Sequence, residues 1–124
     1  MLIDNDILID AGTGVGDLSM TELSLIDHVF ITHSHLDHVT SIPFLVDTVG
    51  GMRARPITVH TIAATIEIIR NHIFNWAIWP DFSQIPTPEK PWMHYRALQV
   101  GEALVINGRT ITALPANHVV PAVG

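Results

Sequence analysis

Three short apolar runs recur along the chain, each ending on residues that can carry chemistry. Ile7-Leu8-Ile9 leads into Asp10, His28-Val29-Phe30-Ile31-Thr32 into His33, and Ile57-Thr58-Val59 into His60. Runs of this length, bounded by turn residues, predict buried strands. Between the first two, Ser19-Met20-Thr21-Glu22 matches a capping box and predicts a short helix through about Ile26. Residues 37–49 read as helical, with Asp37 as N-cap and Gly50-Gly51 as the stop. Pro43 falls inside that span and predicts a bend or a late start to its regular part. Residues 63–74 show helical spacing at Ile66, Ile69 and Ile73. Residues 75–91 hold two of the three tryptophans and half of the prolines and predict an irregular, packed loop. Residues 103–106 and 109–114 flank Asn107-Gly108, a strong signal for a two-residue β-hairpin. Strand and helix alternate and a hairpin follows, which predicts an α/β fold in one domain over residues 1–124. No linker, low-complexity stretch or internal repeat interrupts it.

Composition narrows the possible functions. The chain of 124 residues is 48% hydrophobic and 15% charged. Its mean hydropathy is +0.35. This suits a well-buried core and is apolar for so small a domain, so some apolar surface is expected to be covered by a partner. The net charge is −6, with six Lys and Arg scattered along the chain. A basic face that tracks nucleic-acid phosphates is therefore not expected. Small anionic substrates remain open, because bound cations would dominate the local field. Without cysteine there are no disulfides and no thiolate ligands. The N-terminus is acidic and unlike a signal peptide, and no apolar run is long enough to span a bilayer. A cytoplasmic location is the default expectation.

The chemistry concentrates in His33-Ser34-His35-Leu36-Asp37-His38, four potential metal ligands in six residues. His33 and His35 are two apart, so an extended backbone points both to one side. A helix starting just after would turn Asp37 and His38 towards the same cavity. Imidazole with carboxylate suits zinc, manganese or iron. His33 and His35 can hold one ion, with His118 as third ligand from the end of another strand. Asp37 and His38 can hold a neighbouring ion. Water in the open positions would become a ready nucleophile. Asp10 is expected either to orient a ligand or to cap the glycine-rich turn at residues 11–16. That turn fits neither the dinucleotide fingerprint nor the phosphate loop. His28, His60, His72 and His94 are expected to serve packing or the surface. Trp76 and Trp79 are expected to fill a core beside the helix ending near Phe74, with base stacking as the other option.

His33-Ser34-His35-Leu36-Asp37-His38 resembles the HxHxDH signature of the metallo-β-lactamase fold superfamily, and Ile9-Asp10-Ala11-Gly12 resembles its early strand and turn. More narrowly, the chain is similar to the class II 3′,5′-cyclic-nucleotide phosphodiesterases. Leu36, Ser41, the stretch from His72 to Trp76, and Trp79-Pro80-Asp81 carry that likeness. Pro43 departs from the family pattern, which more often has an aliphatic residue there. The resemblance implies an αββα sandwich with two divalent metals, most often zinc, in a groove at one sheet edge. It implies His33, His35 and His118 on one metal and Asp37 and His38 on the other. It implies hydrolysis of cyclic AMP or cyclic GMP to the nucleoside 5′-monophosphate, with Asp37 as the catalytic carboxylate. A tRNA 3′-processing nuclease of the same superfamily and a non-catalytic metal-binding fragment are the alternatives. The family also uses a bridging Asp and a further His downstream of the position of His118, and the chain reaches only Gly124. An incomplete, N-terminal portion of such a domain is therefore expected, completed by a C-terminal half or by homo-oligomerisation.

Overall fold

The apolar runs pair side by side as the middle of one sheet in the computed structural model, which describes residues 1–124. The strands are β1 (Leu2–Ile3), β2 (Ile7–Ile9), β3 (His28–Phe30), β4 (Ile57–Ile62), β5 (Pro86–Thr87), β6 (Lys90–Pro91), β7 (Met93–Leu98), β8 (Ala103–Ile106) and β9 (Arg109–Thr112). The main sheet has the order β1-β2-β3-β4-β7. β1 is antiparallel to β2, and the other neighbours run parallel. Parallel neighbours need crossovers. These carry α1 (Met20–Leu25), α2 (Leu36–Val39), α3 (Ile42–Val49) and α4 (Ala63–His72).

Alternation within each strand builds two cores. Leu8, Val29, Val59 and Met93 face the helices and pack with Ile42, Leu45, Val46 and Ile69. Ile7, Phe30 and Leu98 face the other way and meet Ile106, Ala113 and Val123. Each such side chain, when fully buried, contributes roughly 1.5–3 kcal/mol. The layers are thus helices, a five-stranded sheet, and the β8–β9 hairpin. Asn107 and Gly108 turn that hairpin with φ of 49° and 80°. Both values lie in the left-handed region that a two-residue turn of this kind requires.

Three expectations change. The helix anticipated over residues 37–49 is two helices, α2 and α3, joined at Thr40-Ser41. Asp37 is not its cap: it lies in the first turn of α2, and His35 occupies the cap position without a side-chain cap bond. Pro43 is the second residue of α3, where its missing N–H leaves no helical bond unmade. It therefore delays the regular helix rather than bending it. The segment expected as an irregular loop over residues 75–91 contains the paired strands β5 and β6. The capping box at Ser19 and Glu22 forms as expected. No helix is long and apolar enough to cross a membrane.

Candidate metal centre

The site grows from the C-terminal ends of β2 and β3. Asp10 follows β2 with φ of 54°, a left-handed conformation that Asp tolerates better than most residues. Its carboxylate accepts three groups. The Thr32 amide donates to it at 2.9 Å. The Thr32 hydroxyl donates at 3.0 Å. The His38 Nδ1–H donates at 2.8 Å. A carboxylate can only accept, so Nδ1 of His38 carries the ring proton and Nε2 is left free. The Thr32 hydroxyl has spent its single hydrogen on Asp10. It therefore accepts from Nδ1–H of His33, at 2.9 Å. One carboxylate thus sets the tautomer of two histidines, directly for His38 and through Thr32 for His33. Of the two roles expected for Asp10, orientation of the cluster is the one its bonds perform.

All five residues singled out in the sequence come together. The ring centroid of His33 lies 4.8 Å from that of His35 and 4.4 Å from that of His118. His35 and His118 are 4.9 Å apart. One ligand nitrogen from each of these three lies within 4.8 Å of the others. The His38 ring centroid stands 4.0 Å from that of His33. Oδ2 of Asp37 is 3.4 Å from Nε2 of His38. Three imidazoles therefore form one set, and the Asp37–His38 pair adjoins it.

A backbone clasp holds the pair in place. The Ala11 amide donates to the His38 carbonyl at 2.7 Å, and the Ser41 amide to the Ala11 carbonyl at 2.8 Å. The Ser41 hydroxyl donates to the Gly12 carbonyl at 2.8 Å. The approach is so close that a Cβ on Gly12 would lie 2.2 Å from the Asp37 carbonyl oxygen.

His118 arrives differently. It lies exposed on an arm that returns to the end of β3. Ala122 pairs with His33, Pro115 pairs with Val123, and the Val123 amide donates to the Thr32 carbonyl at 3.0 Å. The Val119 amide donates to Nδ1 of His118 at 2.9 Å. That bond leaves the ring proton on Nε2, so ligation through Nε2 requires His118 to give up the amide.

Burial lowers the pKa of His33, and the neighbouring His38, His118 and His35 lower it further, against an opposing pull from Asp10. His33 is therefore neutral at neutral pH, the form that binds metal. The donor set fits a divalent ion, zinc first, with manganese or iron also compatible. Thr32 and the Ala122–Val123 strap are the functional elements that sequence reasoning missed. A hydroxyl at the end of a buried strand was the available signal for Thr32, whereas the strap gives none. The remaining histidines lie elsewhere. His28 Nδ1 and His60 Nε2 are 3.0 Å apart and share one hydrogen bond. Trp79 packs on Phe44, with ring centroids 5.0 Å apart, and Trp76 is largely exposed.

The profile of the class-II cAMP phosphodiesterases matches residues 20–117. The chain belongs to this family. Among family relatives, a probable 3′,5′-cyclic-nucleotide phosphodiesterase of Yersinia pestis is 38% identical over 58 residues, 47% of this chain and 16% of that protein. A ribonuclease Z of Bradyrhizobium diazoefficiens is 29% identical over 116 residues, 90% of this chain and 36% of that protein. The fold is that of the metallo-β-lactamases. The metallo-β-lactamase fold protein YhfI of Bacillus subtilis superposes with a TM-score of 0.67 at 20% identity, over 98% of this chain and 45% of that one. The chain spans less than half the length of each of these three proteins.

Proposed function

We propose that the site performs metal-dependent hydrolysis of a 3′,5′-cyclic nucleotide to the nucleoside 5′-monophosphate. The observation that carries it is the convergence of three imidazoles with the Asp37–His38 pair, oriented by Asp10, in a chain of this family. His33, His35 and His118 would hold one ion, and Asp37 and His38 a second. Such ions supply Lewis acidity toward the phosphate oxygens and make a nearby water more acidic. The Asp37 side chain, 80% exposed, is the carboxylate free to orient that water and take its proton. The water oxygen adds to phosphorus, and the bond to the 3′ oxygen breaks. The leaving oxygen takes a proton, and the ring opens. Asp10 fixes His33 and His38, so neither has to reorganise during the reaction.

One observation favours a nuclease instead, the match to a ribonuclease Z over 116 residues. The disposition of cations argues the other way. Arg53 and Arg55 pair with Asp27, Arg96 with Glu102, and Arg109 with Asp4 and Asp6. Arg70 lies over the Tyr95 ring. Little positive charge is left to follow an RNA backbone.

The test is an assay of the metal-loaded protein with cyclic AMP, cyclic GMP and a precursor tRNA in parallel. Metal-dependent release of nucleoside 5′-monophosphate is expected. Cleavage of the tRNA alone would transfer the function to the nuclease class. Full metal occupancy with no turnover of any of them would leave a metal-binding role only.

A further inference from the structure

We propose that the cavity beside Asp37 and His38 receives the base of the nucleotide, with Gly14 keeping its mouth open. The proposal rests on the cyclic-nucleotide function above for the position of the phosphate. The cavity measures about 570 Å³ and begins at Asp37 and His38. Ligand sites commonly span roughly 300–1,000 Å³. Leu2, Val15 and Leu18 give it an apolar lining, and no lysine or arginine lines it. An apolar lining without a lysine or arginine suits an uncharged heterocycle better than a second phosphate. A phosphate at the histidine cluster would place the rest of its nucleotide at this opening.

The glycine-rich loop then has a use that no phosphate-loop pattern gave it. Gly12 is fixed by the clasp to Asp37. Gly14 is not constrained in that way: a Cβ built on it meets nothing within 4 Å. Its lack of a side chain serves the space in front of it rather than the backbone behind it. Trp76 and Trp79, the aromatic candidates for stacking, do not line this cavity.

The experiment compares equilibrium binding of cyclic AMP and of the base-free ribose 3′,5′-cyclic phosphate to the zinc-loaded protein. Burial of the base against Leu2, Val15 and Leu18 predicts binding tightened about tenfold. Gly14→Phe should reduce cyclic AMP to the affinity of the base-free ligand, without changing zinc content or base-free binding. A photolabel, 8-azido cyclic AMP, should mark residues 12–18 of the unsubstituted protein. That measurement decides alone if Gly14→Phe loses zinc. Equal affinity for the two ligands, or label at residues 76–79, overturns the base site and leaves the phosphodiesterase function standing. Binding of neither ligand overturns both.

Discussion

His33 and His118 face each other across one cluster, 4.4 Å apart at their ring centroids, yet they are held by different kinds of interaction. His33 is buried at a strand end, with its Nδ1 tied through Thr32 to Asp10. Its partner His38 is tied to the same carboxylate and to the backbone clasp. His118 lies exposed on an arm secured by backbone pairing and by the buried Val123 side chain, and its own Nδ1 accepts a neighbouring amide. One half is organised before any ligand arrives, and the other has a bond to exchange first. The difference teaches where affinity should reside and where movement should occur.

The largest effect should come from the organised half. His33→Ala combined with His35→Ala should abolish tight zinc binding, read by elemental analysis after dialysis. His118→Ala should retain a measurable but weaker site. Equal loss in the two proteins would break the comparison. Next comes Asp10→Asn, which cannot accept from His38 and Thr32 as the carboxylate does. Calorimetric titration should show zinc affinity reduced about 10–100-fold, the usual cost of losing an outer-shell partner. An unchanged affinity would mean that orientation of the rings contributes little.

How far such residues can be read from sequence depends on how local their causes are. The strands and the capping box follow from spacing within a few residues, and so does the Asn107-Gly108 turn. The HxHxDH segment carries its own ligands in one stretch, so its chemistry was legible at once. Thr32 needed knowledge that its hydroxyl meets Asp10, 22 positions earlier. The division into α2 and α3 was ambiguous because a proline can bend a helix or start one. β7 is masked at its start by proline and tryptophan, although Met93 and Leu98 are buried and His94 is exposed. The pairing of Ala122 with His33 joins residues 89 positions apart and leaves no periodic trace.

A smaller effect sharpens the contrast from outside the cluster. His60 is buried against Phe30 and hydrogen-bonded to His28, with Arg96 and Glu102 nearby. Burial lowers its pKa from 6.5 to about 4, and His28 and Arg96 add to the shift. The unfolded chain then binds the proton more readily, so stability rises with pH across that window and is lost as pH falls through it. Thermal unfolding between about pH 6.5 and 4 should show this slope, and His60→Gln should flatten it. A slope unchanged by that substitution would assign it to His28 and His33, whose pKa values burial also lowers. The smallest expected effect is in the arm. Val119→Pro removes the amide that His118 accepts, so zinc affinity should rise severalfold, about 1 kcal/mol at most for one neutral hydrogen bond. A fall in affinity would show that the amide positions His118 rather than competing for it.

The closeness of Gly12 to Asp37 has a consequence for how freely this sequence can drift. In a library carrying every amino acid at each of positions 12, 14 and 16, selection for folded protein should empty position 12 of everything except glycine. A Cβ there collides with backbone, which has no rotamer to yield. Positions 14 and 16 meet open space and should accept most side chains under the same selection. Three glycines spaced two apart thus answer to different constraints, and only the first is written into the fold.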